Sequence, residues 1–261
     1  MRRTALALTL GLAAGPLLAG CGQTNTPDGP SSTSSMPVSG TINVFAAASL
    51  MESFTQLGRR FEVAHPGVRV VFNFGPSSGL AAQITQGAPA DVFASASDKN
   101  MDQVVTAGAA VSPRTFASNV MAIAVPAGNP ADITGLSDLA KSDVKVALCQ
   151  SVVPCGASAA QVLANALLTV TPVTQEVDVR AVLAKVSLGE VDAGLVYLTD
   201  VRTSAVKVEG ITIPTQINAS THYPIATLST APNKHTAEAF ADYVLSPEGA
   251  SVLATAGFAK P

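Results

Sequence analysis

The feature that most constrains the fold is a regular alternation of short runs rich in β-branched residues with longer stretches of helical periodicity. The run Ile42 to Phe45 precedes a helical pattern from Leu50 to Glu62, and the run Val68 to Phe74 precedes another from Leu80 to Gln86. Strands that alternate with helices indicate parallel pairing, because each crossover helix returns the chain to the same edge of the sheet. The sequence therefore predicts an α/β protein with helices on both faces of its sheet.

The same alternation continues to the C-terminus and leaves two arrangements open. One is a single open sheet. The other is a pair of α/β lobes, in which the chain crosses near Ser118-Asn119 and again near His222-Tyr223. In the second arrangement, residues 41–119 with 224–261 form lobe I and residues 120–223 form lobe II. The cleft between such lobes is the expected ligand site.

The N-terminal part has the pattern of an exported and lipid-anchored protein. Residues 1–20 combine two arginines with an apolar stretch from Thr4 to Leu18, which is typical of a signal peptide. The segment Leu18-Ala19-Gly20-Cys21 resembles the lipobox of bacterial lipoproteins, in which the cysteine is acylated. Residues 21–40 are rich in Ser, Thr, Pro and Gly and are predicted to be a flexible tether. The alternative is an ordinary signal peptide with an incidental cysteine.

If Cys21 is acylated, the protein is held at the extracytoplasmic face of the cell membrane by its lipid. The formal charge of the whole chain is −3, and loss of Arg2 and Arg3 with the signal leaves 13 basic and 18 acidic residues, a balance of −5. An acidic protein is a poor partner for nucleic acid or for an anionic membrane surface. We therefore expect no nucleic-acid partner.

Four helical patterns begin after a strand-like run with a junction of small or polar residues. The junctions hold Ser49, the pair Ser77-Ser78, the segment Pro154-Cys155-Gly156, and Asp178, which is expected to be an ordinary N-cap of the helix that follows it. In a parallel α/β sheet these junctions lie at one edge, where the first N–H groups of each helix lack an intrahelical partner and carry partial positive charge. Several such helix starts can together bind an oxyanion without Lys or Arg.

The hydroxyls of Ser49, Ser77 and Tyr197 would add neutral donors around the same anion. Each has an ordinary structural alternative. A serine before a helix is commonly a cap, and Glu52 stands three residues after Ser49, as in a capping box. A tyrosine at a strand end commonly packs in the core. The recurrence of hydroxyls and helix starts at several strand ends favours anion binding.

The segments "AAASL", "GAPADVFASAS" and "DAGLVY" occur in this order, and the chain closes on "GFAKP". From about Thr41 to the C-terminus, these segments resemble the molybdate-binding proteins of bacterial ABC transporters. The resemblance implies the class II periplasmic-binding-protein fold, with two α/β lobes and a central ligand cleft. It also implies capture of molybdate and of tungstate for delivery to an ABC permease, by a monomeric, non-enzymatic protein without a cofactor.

The resemblance further implies a set of ligand-binding groups. They are the hydroxyl and N–H of Ser49 and Ser77, the N–H of Cys155 and Val179, and the hydroxyl of Tyr197, with no metal beyond the molybdenum of the oxyanion. The chain departs from the family at Cys155, where Ala is common, and in its serine-rich "GPSSG" loop. Because Cys155 would offer its backbone N–H, the change of side chain need not weaken binding.

Two cysteines, Cys149 and Cys155, flank the segment "QSVVP". In an exported protein such a pair can form a disulfide, and we hypothesise that it fixes the loop that presents the Cys155 N–H. Zinc is disfavoured because no histidine stands nearby to complete a ligand set.

Three alternatives to molybdate capture stay open on the residues alone. One is binding of another tetrahedral oxyanion, such as sulfate. A serine hydrolase would need a base beside Ser49 or Ser77, and neither serine lies in a Gly-x-Ser-x-Gly elbow. A structural or adhesive lipoprotein would have no small ligand.

Overall fold

The structure is a computed structural model that describes residues 37–204 and 206–261. The predicted signal peptide, Cys21 and most of the predicted tether lie outside these residues. The end of the predicted tether already belongs to the folded body. The Ser39 N–H donates to Thr236 Oγ1 at 3.2 Å, and Gly40 begins the first strand with its N–H on the Gly67 carbonyl at 2.7 Å.

The described strands form one mixed sheet of nine. Their β-branched and aromatic residues suit a pleated, buried surface, which is why most of them coincide with the apolar runs of the sequence. The strands are β1 (Gly40–Ala47), β2 (Val68–Gly75), β3 (Val92–Ala94), β4 (Arg114–Pro126), β5 (Val146–Cys149), β6 (Thr174–Glu176), β7 (Ala193–Tyr197), β8 (Val208–Thr212) and β9 (Ser220–Thr227).

The order β2-β1-β3-β9-β4-β7-β5-β6, with β8 also on β4, divides the sheet along β4. Residues Arg114 to Val120 pair with β9, whereas Met121 to Pro126 pair with β7 and β8. We call β2-β1-β3-β9 the first half-sheet and β7-β5-β6 with β8 the second half-sheet. The α/β class is confirmed, and the division into two halves agrees with the two-lobe arrangement that the sequence analysis expects.

The predicted parallel pairing of strands is found in only part of the sheet. β1 is parallel to β2 and β3, and β5 is parallel to β6 and β7. β4 pairs antiparallel with β7, β8 and β9, and β9 also pairs antiparallel with β3. The pairing of β4 with β9 joins the two halves directly. The predicted crossings lie where β4 pairs with β9, with Ser118 opposite His222 and Asn119 opposite Thr221. The lobe boundaries at residues 119 and 223 stay predictions.

Helices connect the parallel strands and cover the sheet. Two of them begin one turn earlier than the apolar periodicity predicts, so that Ser77 and Cys155 lie in first helical turns. Short 3-10 helices span Ala48–Leu50 and Leu136–Ala140. The α-helices are α1 (Met51–Ala64), α2 (Ser77–Thr85), α3 (Asp98–Thr106), α4 (Pro154–Asn165), α5 (Val179–Ser187), α6 (Leu198–Thr203), α7 (Lys234–Leu245) and α8 (Pro247–Ala256).

Both halves have tightly packed cores. In the first half, Phe61 of α1 meets Phe240 of α7 edge to face, with ring centroids 5.3 Å apart. In the second half, Gly194 of β7 lies so close to α5 that a β-carbon there would approach Val182 Cγ1 to 2.6 Å. Rigid packing of this kind holds the helix starts at fixed positions relative to the strand ends. No helix in the described ranges has the length and apolar character needed to cross a membrane.

Candidate functional site

A small cavity lies where β1, β2, β5, β6 and β7 end at their carboxyl termini. It offers about 20 Å³ to the centre of a water molecule, slightly more than the roughly 10–15 Å³ that one water needs. Such a space suits a compact ligand of a few atoms. All five residues predicted to bind the ligand, from both halves of the sheet, line it. The lining residues are Ala47, Ala48, Ser49, Gly75, Pro76, Ser77, Ala96, Val153, Pro154, Cys155, Asp178, Val179 and Tyr197.

Ser49 is buried in the 3-10 turn that follows β1. The predicted capping box is wrong, because this turn runs directly into α1 and Ser49 is already inside it rather than at a cap. The Ser49 hydroxyl instead lies 3.0 Å from the Tyr223 hydroxyl. Glu52 reaches across to Arg180, with its Oε1 2.7 Å from Nη1.

Tyr223 connects Ser49 to the strands that join the two halves. Asn119 Nδ2 donates to the Tyr223 hydroxyl at 3.4 Å and to Thr199 Oγ1 at 2.8 Å. A Tyr223 hydroxyl that accepts from Asn119 can donate its own proton to Ser49 Oγ, which leaves the Ser49 proton for the cavity. Sequence reasoning missed Tyr223, because in "HYPIAT" it is one apolar residue of an ordinary buried strand.

Ser77 has a hydroxyl oriented by the backbone. Its Oγ accepts the Ala96 N–H at 2.9 Å in a buried bond, so its own proton is not used there. Ser77 also opens α2, whose N-cap Pro76 makes no side-chain cap. The N–H groups of the first turn therefore have no partner within the helix. Ser77 can offer both a hydroxyl and an N–H.

The start of α4 is fixed by a disulfide between Cys149 and Cys155, with Cα atoms 5.8 Å apart. The bridge places the loop from residue 150 to 154 against the first helical turn. Gly156 allows this approach, since a β-carbon there would collide with the Gln150 carbonyl oxygen. The Cys155 N–H lies in that first turn and has no intrahelical partner.

The start of α5 follows the predicted pattern. Asp178 is the N-cap, and its Oδ1 accepts the Ala181 N–H at 3.0 Å. The Asp178 carboxylate therefore serves its own helix, although it lies at the cavity wall. Val179 is the first helical residue and is buried, with its N–H left without a partner in the helix.

Tyr197 is fully buried, and among the described residues its hydroxyl has no hydrogen-bond partner of good geometry. Burial raises its pKa, so the hydroxyl stays a proton donor. The hydroxyls of Ser158 and Thr221 lie nearby, but they bond to each other at 2.8 Å. A buried donor without an acceptor costs free energy, and an anion in the cavity would supply the missing acceptor.

A buried carboxyl lies behind Tyr197. Asp200 Oδ2 accepts the Tyr197 N–H at 3.0 Å. Burial raises the pKa of Asp200 to about 7, against the opposing effects of that hydrogen bond and of the Arg180 charge. Sequence reasoning missed Asp200 because the short helix α6 that carries it has no clear periodicity.

The cavity presents donors without a cation. None of the described residues that line it is Lys, Arg or His. Within the described ranges, no group of three or more His, Cys, Asp or Glu residues could hold a metal ion. Hydroxyl and N–H donors at converging helix starts suit an anion that only accepts hydrogen bonds.

Comparisons with known proteins identify relatives of this chain. Residues 42–259 match the model of the family described as bacterial extracellular solute-binding protein. The chain is 41% identical to the molybdate-binding protein ModA of Mycobacterium bovis over 98% of this chain and 99% of that protein. It is 34% identical to the molybdate-binding protein ModA of Escherichia coli, over 84% of this chain and 89% of that protein.

A solved structure shares the fold. The Azotobacter vinelandii periplasmic molybdate-binding protein superposes with a TM-score of 0.75 at 22% identity, covering 84% of this chain and 99% of that one.

Proposed function

The chain belongs to the bacterial extracellular solute-binding proteins, as a molybdate-binding substrate-binding protein of the ABC-transporter type, and from this membership we propose how it binds its ligand. Molybdate occupies the cavity and accepts hydrogen bonds from the hydroxyls and N–H groups of Ser49 and Ser77, the N–H groups of Cys155 and Val179, and the Tyr197 hydroxyl. The observation that carries this proposal is the convergence of these donors, from both halves of the sheet, on one cavity without a cation.

We propose that the cavity discriminates against sulfate by the size of the ion. The Mo–O bond is longer than the S–O bond, so the smaller ion would leave some of the buried donors without an acceptor. Tungstate has nearly the size of molybdate and is proposed as a second ligand. Hydrogenphosphate carries a proton that needs an acceptor. Among the described lining residues the one carboxylate is Asp178, whose Oδ1 caps its own helix by accepting the Ala181 N–H, so we propose that it does not serve the ligand.

The protein acts outside the cytoplasm, and we propose that a lipid on Cys21 anchors it to the cell membrane. A tether of about twenty residues would let the folded body move between solution and an ABC permease while it stays at the surface. We propose a monomer that delivers one anion at a time.

We propose no enzymatic activity and no cofactor. A nucleophilic serine needs a base within hydrogen-bond reach. Ser49 bonds to Tyr223 and Ser77 to the Ala96 N–H, and no described residue that lines the cavity is His or Lys.

Isothermal titration calorimetry tests the proposal. The protein is titrated with molybdate, tungstate and sulfate at matched ionic strength, and Ser77→Ala is compared with Ser78→Ala, a neighbour that does not line the cavity. We expect tight one-to-one binding of molybdate and tungstate, little binding of sulfate, and a defect confined to Ser77→Ala. Equal binding of sulfate would keep the oxyanion site and overturn the substrate, whereas failure of all three anions would overturn the function.

A further inference from the structure

One ion pair beside the cavity joins the two halves of the molecule. Glu52 lies in the first turn of α1, which packs on β2, α7 and α8 of the first half. Arg180 lies in the first turn of α5, which packs on β5, β6 and β7 of the second half. Their closest atoms, Oε1 and Nη1, are 2.7 Å apart.

The other ion pairs between described residues lie within one half. Arg114 pairs with Asp242 and His222 with Asp98 in the first half, and Lys185 pairs with Glu176 and Glu190 in the second. The remaining pairs, Lys141 with Asp138 and Lys234 with Glu238, are between near neighbours in the sequence. Among the ion pairs of the described residues, Glu52–Arg180 is therefore the one that would break when the halves separate. The hydrogen bond between the Ser158 and Thr221 hydroxyls and the packing of α5 on the Ala48–Leu50 turn also join the halves, but they carry no charge.

The position of this pair relates it to the ligand. Glu52 follows Ser49 by three residues, and Arg180 follows Val179 directly, so each partner lies within one turn of a residue that lines the cavity. The Arg180 side chain is 29% exposed and that of Glu52 is 40% exposed, so water screens the pair in part. The Arg180 Nη1 atom itself is buried and lies at ion-pair distance from Glu52 Oε1 without hydrogen-bond geometry, so the contact is a charge–charge attraction. The Arg180 charge also acts on the buried Asp200 behind Tyr197.

We propose that Glu52 and Arg180 form a clamp across the cleft, which holds the halves closed over the bound oxyanion and slows its release. This inference rests on the proposed function. The two residues are positioning residues that do not touch the anion. They hold the starts of α1 and α5 together, so that donors from both halves stay on the same ligand. Opening requires loss of the ion pair, and capture of the anion from the open form does not.

The clamp predicts a kinetic signature. In stopped-flow measurements that follow tyrosine fluorescence, Glu52→Gln should speed molybdate dissociation about three- to ten-fold, because the ion pair exists only in the closed form. The association rate should stay within about two-fold of the wild-type rate. The charge-swapped variant Glu52→Arg/Arg180→Glu should recover slow dissociation relative to Glu52→Arg alone. Glu238→Gln is the matched control, because it removes the same charge from an exposed pair within α7.

Small-angle X-ray scattering of the ligand-free variants separates the clamp from the identity of the ligand. Glu52→Arg places a second positive charge beside Arg180, and the repulsion should separate the halves and raise the radius of gyration. The charge swap should return the radius toward the wild-type value. Unchanged dissociation in Glu52→Gln, or a swap no better than the single reversal, overturns the clamp. If the wild-type protein binds no oxyanion, the proposed function is overturned instead. Scattering then tests the clamp alone, and an unchanged radius of gyration in Glu52→Arg rejects it.

Discussion

Ser77 and Ser78 are neighbours with the same chemistry and different surroundings. Ser77 is buried at the cavity with its Oγ on the Ala96 N–H, whereas Ser78 is half-buried and outside the cavity. Ser77→Ala should therefore weaken molybdate binding by about 1–3 kcal/mol, because it removes a donor from a desolvated anion. Ser78→Ala should change the affinity by less than about 0.5 kcal/mol. Calorimetry of the two variants gives the comparison, and equal losses would contradict the assigned role of Ser77.

Tyr197 and Tyr223 provide a second matched pair, since both are fully buried tyrosines. The Tyr197 hydroxyl has no partner of good geometry among the described residues, so Tyr197→Phe should leave the ligand-free stability within about 1 kcal/mol of wild type or raise it. The same change should weaken molybdate binding about ten-fold or more, through loss of a donor.

Tyr223→Phe should behave differently. It removes the contacts to Ser49 and Asn119, so the ligand-free protein should lose about 1–2 kcal/mol of stability. Urea denaturation without ligand and titration with molybdate measure the two effects separately. A Tyr197→Phe protein that is destabilised but binds normally would show that the hydroxyl has a structural role only.

At the scale of elements, most strands and the larger helices can be predicted because their apolar periodicity is local. The starts of α2 and α4 cannot be placed in this way. Ser77-Ser78-Gly79 and Pro154-Cys155-Gly156 have little apolar character, although they form the first turns that reach the cavity. Asp178 was identified correctly as a cap, because its side-chain bond to Ala181 spans only three residues. The capping box at Ser49 is wrong because the 3-10 turn before α1 leaves no distinct sequence pattern.

The loop closed by Cys149 and Cys155 yields a prediction for one element. Reduction of the disulfide should lower the free energy of unfolding by about 2 kcal/mol, the value expected for a ring of this size. It should also weaken molybdate binding, because the Cys155 N–H loses a fixed position. Urea denaturation and calorimetry with and without reductant give both quantities. The double variant Cys149→Ser/Cys155→Ser is the control and should not respond to reductant, and full affinity after reduction would contradict a positioning role for the bridge.

At the scale of the whole molecule, sequence patterns leave open how the two halves meet. The alternation of strands and helices fits a single sheet as well as two lobes. The junction depends on β4, whose first half pairs with β9, more than a hundred residues later in the chain. The contacts from Asn119 to Tyr223 and from Glu52 to Arg180 have similar separations, and no local periodicity encodes them. The two-lobe arrangement is therefore predicted from the family resemblance and not from the residue pattern.

Asp200 makes the stability of the folded protein depend on pH. Burial raises its pKa to about 7 in the folded protein, whereas an exposed aspartate in the unfolded chain titrates near about 3.9. Between these values the folded state holds a proton that the unfolded state has lost. The free energy of unfolding contributed by this group therefore falls as pH rises from about 4 to about 7 and is constant above that range.

Asp200→Asn removes the titration and keeps an oxygen for the Tyr197 N–H. The melting temperature of the variant relative to wild type should therefore rise by several degrees between pH 5 and pH 8, because only the wild-type protein loses stability on ionisation. Asp102→Asn makes the same chemical change at an exposed site on α3 and serves as the control. A constant difference between Asp200→Asn and wild type across this range would contradict the titration, because it would mean that Asp200 keeps one protonation state from pH 5 to pH 8. Arg180→Gln distinguishes the two states: it should destabilise the protein further if Asp200 is ionised, because the Arg180 charge favours the buried carboxylate, and have no such effect if Asp200 stays protonated.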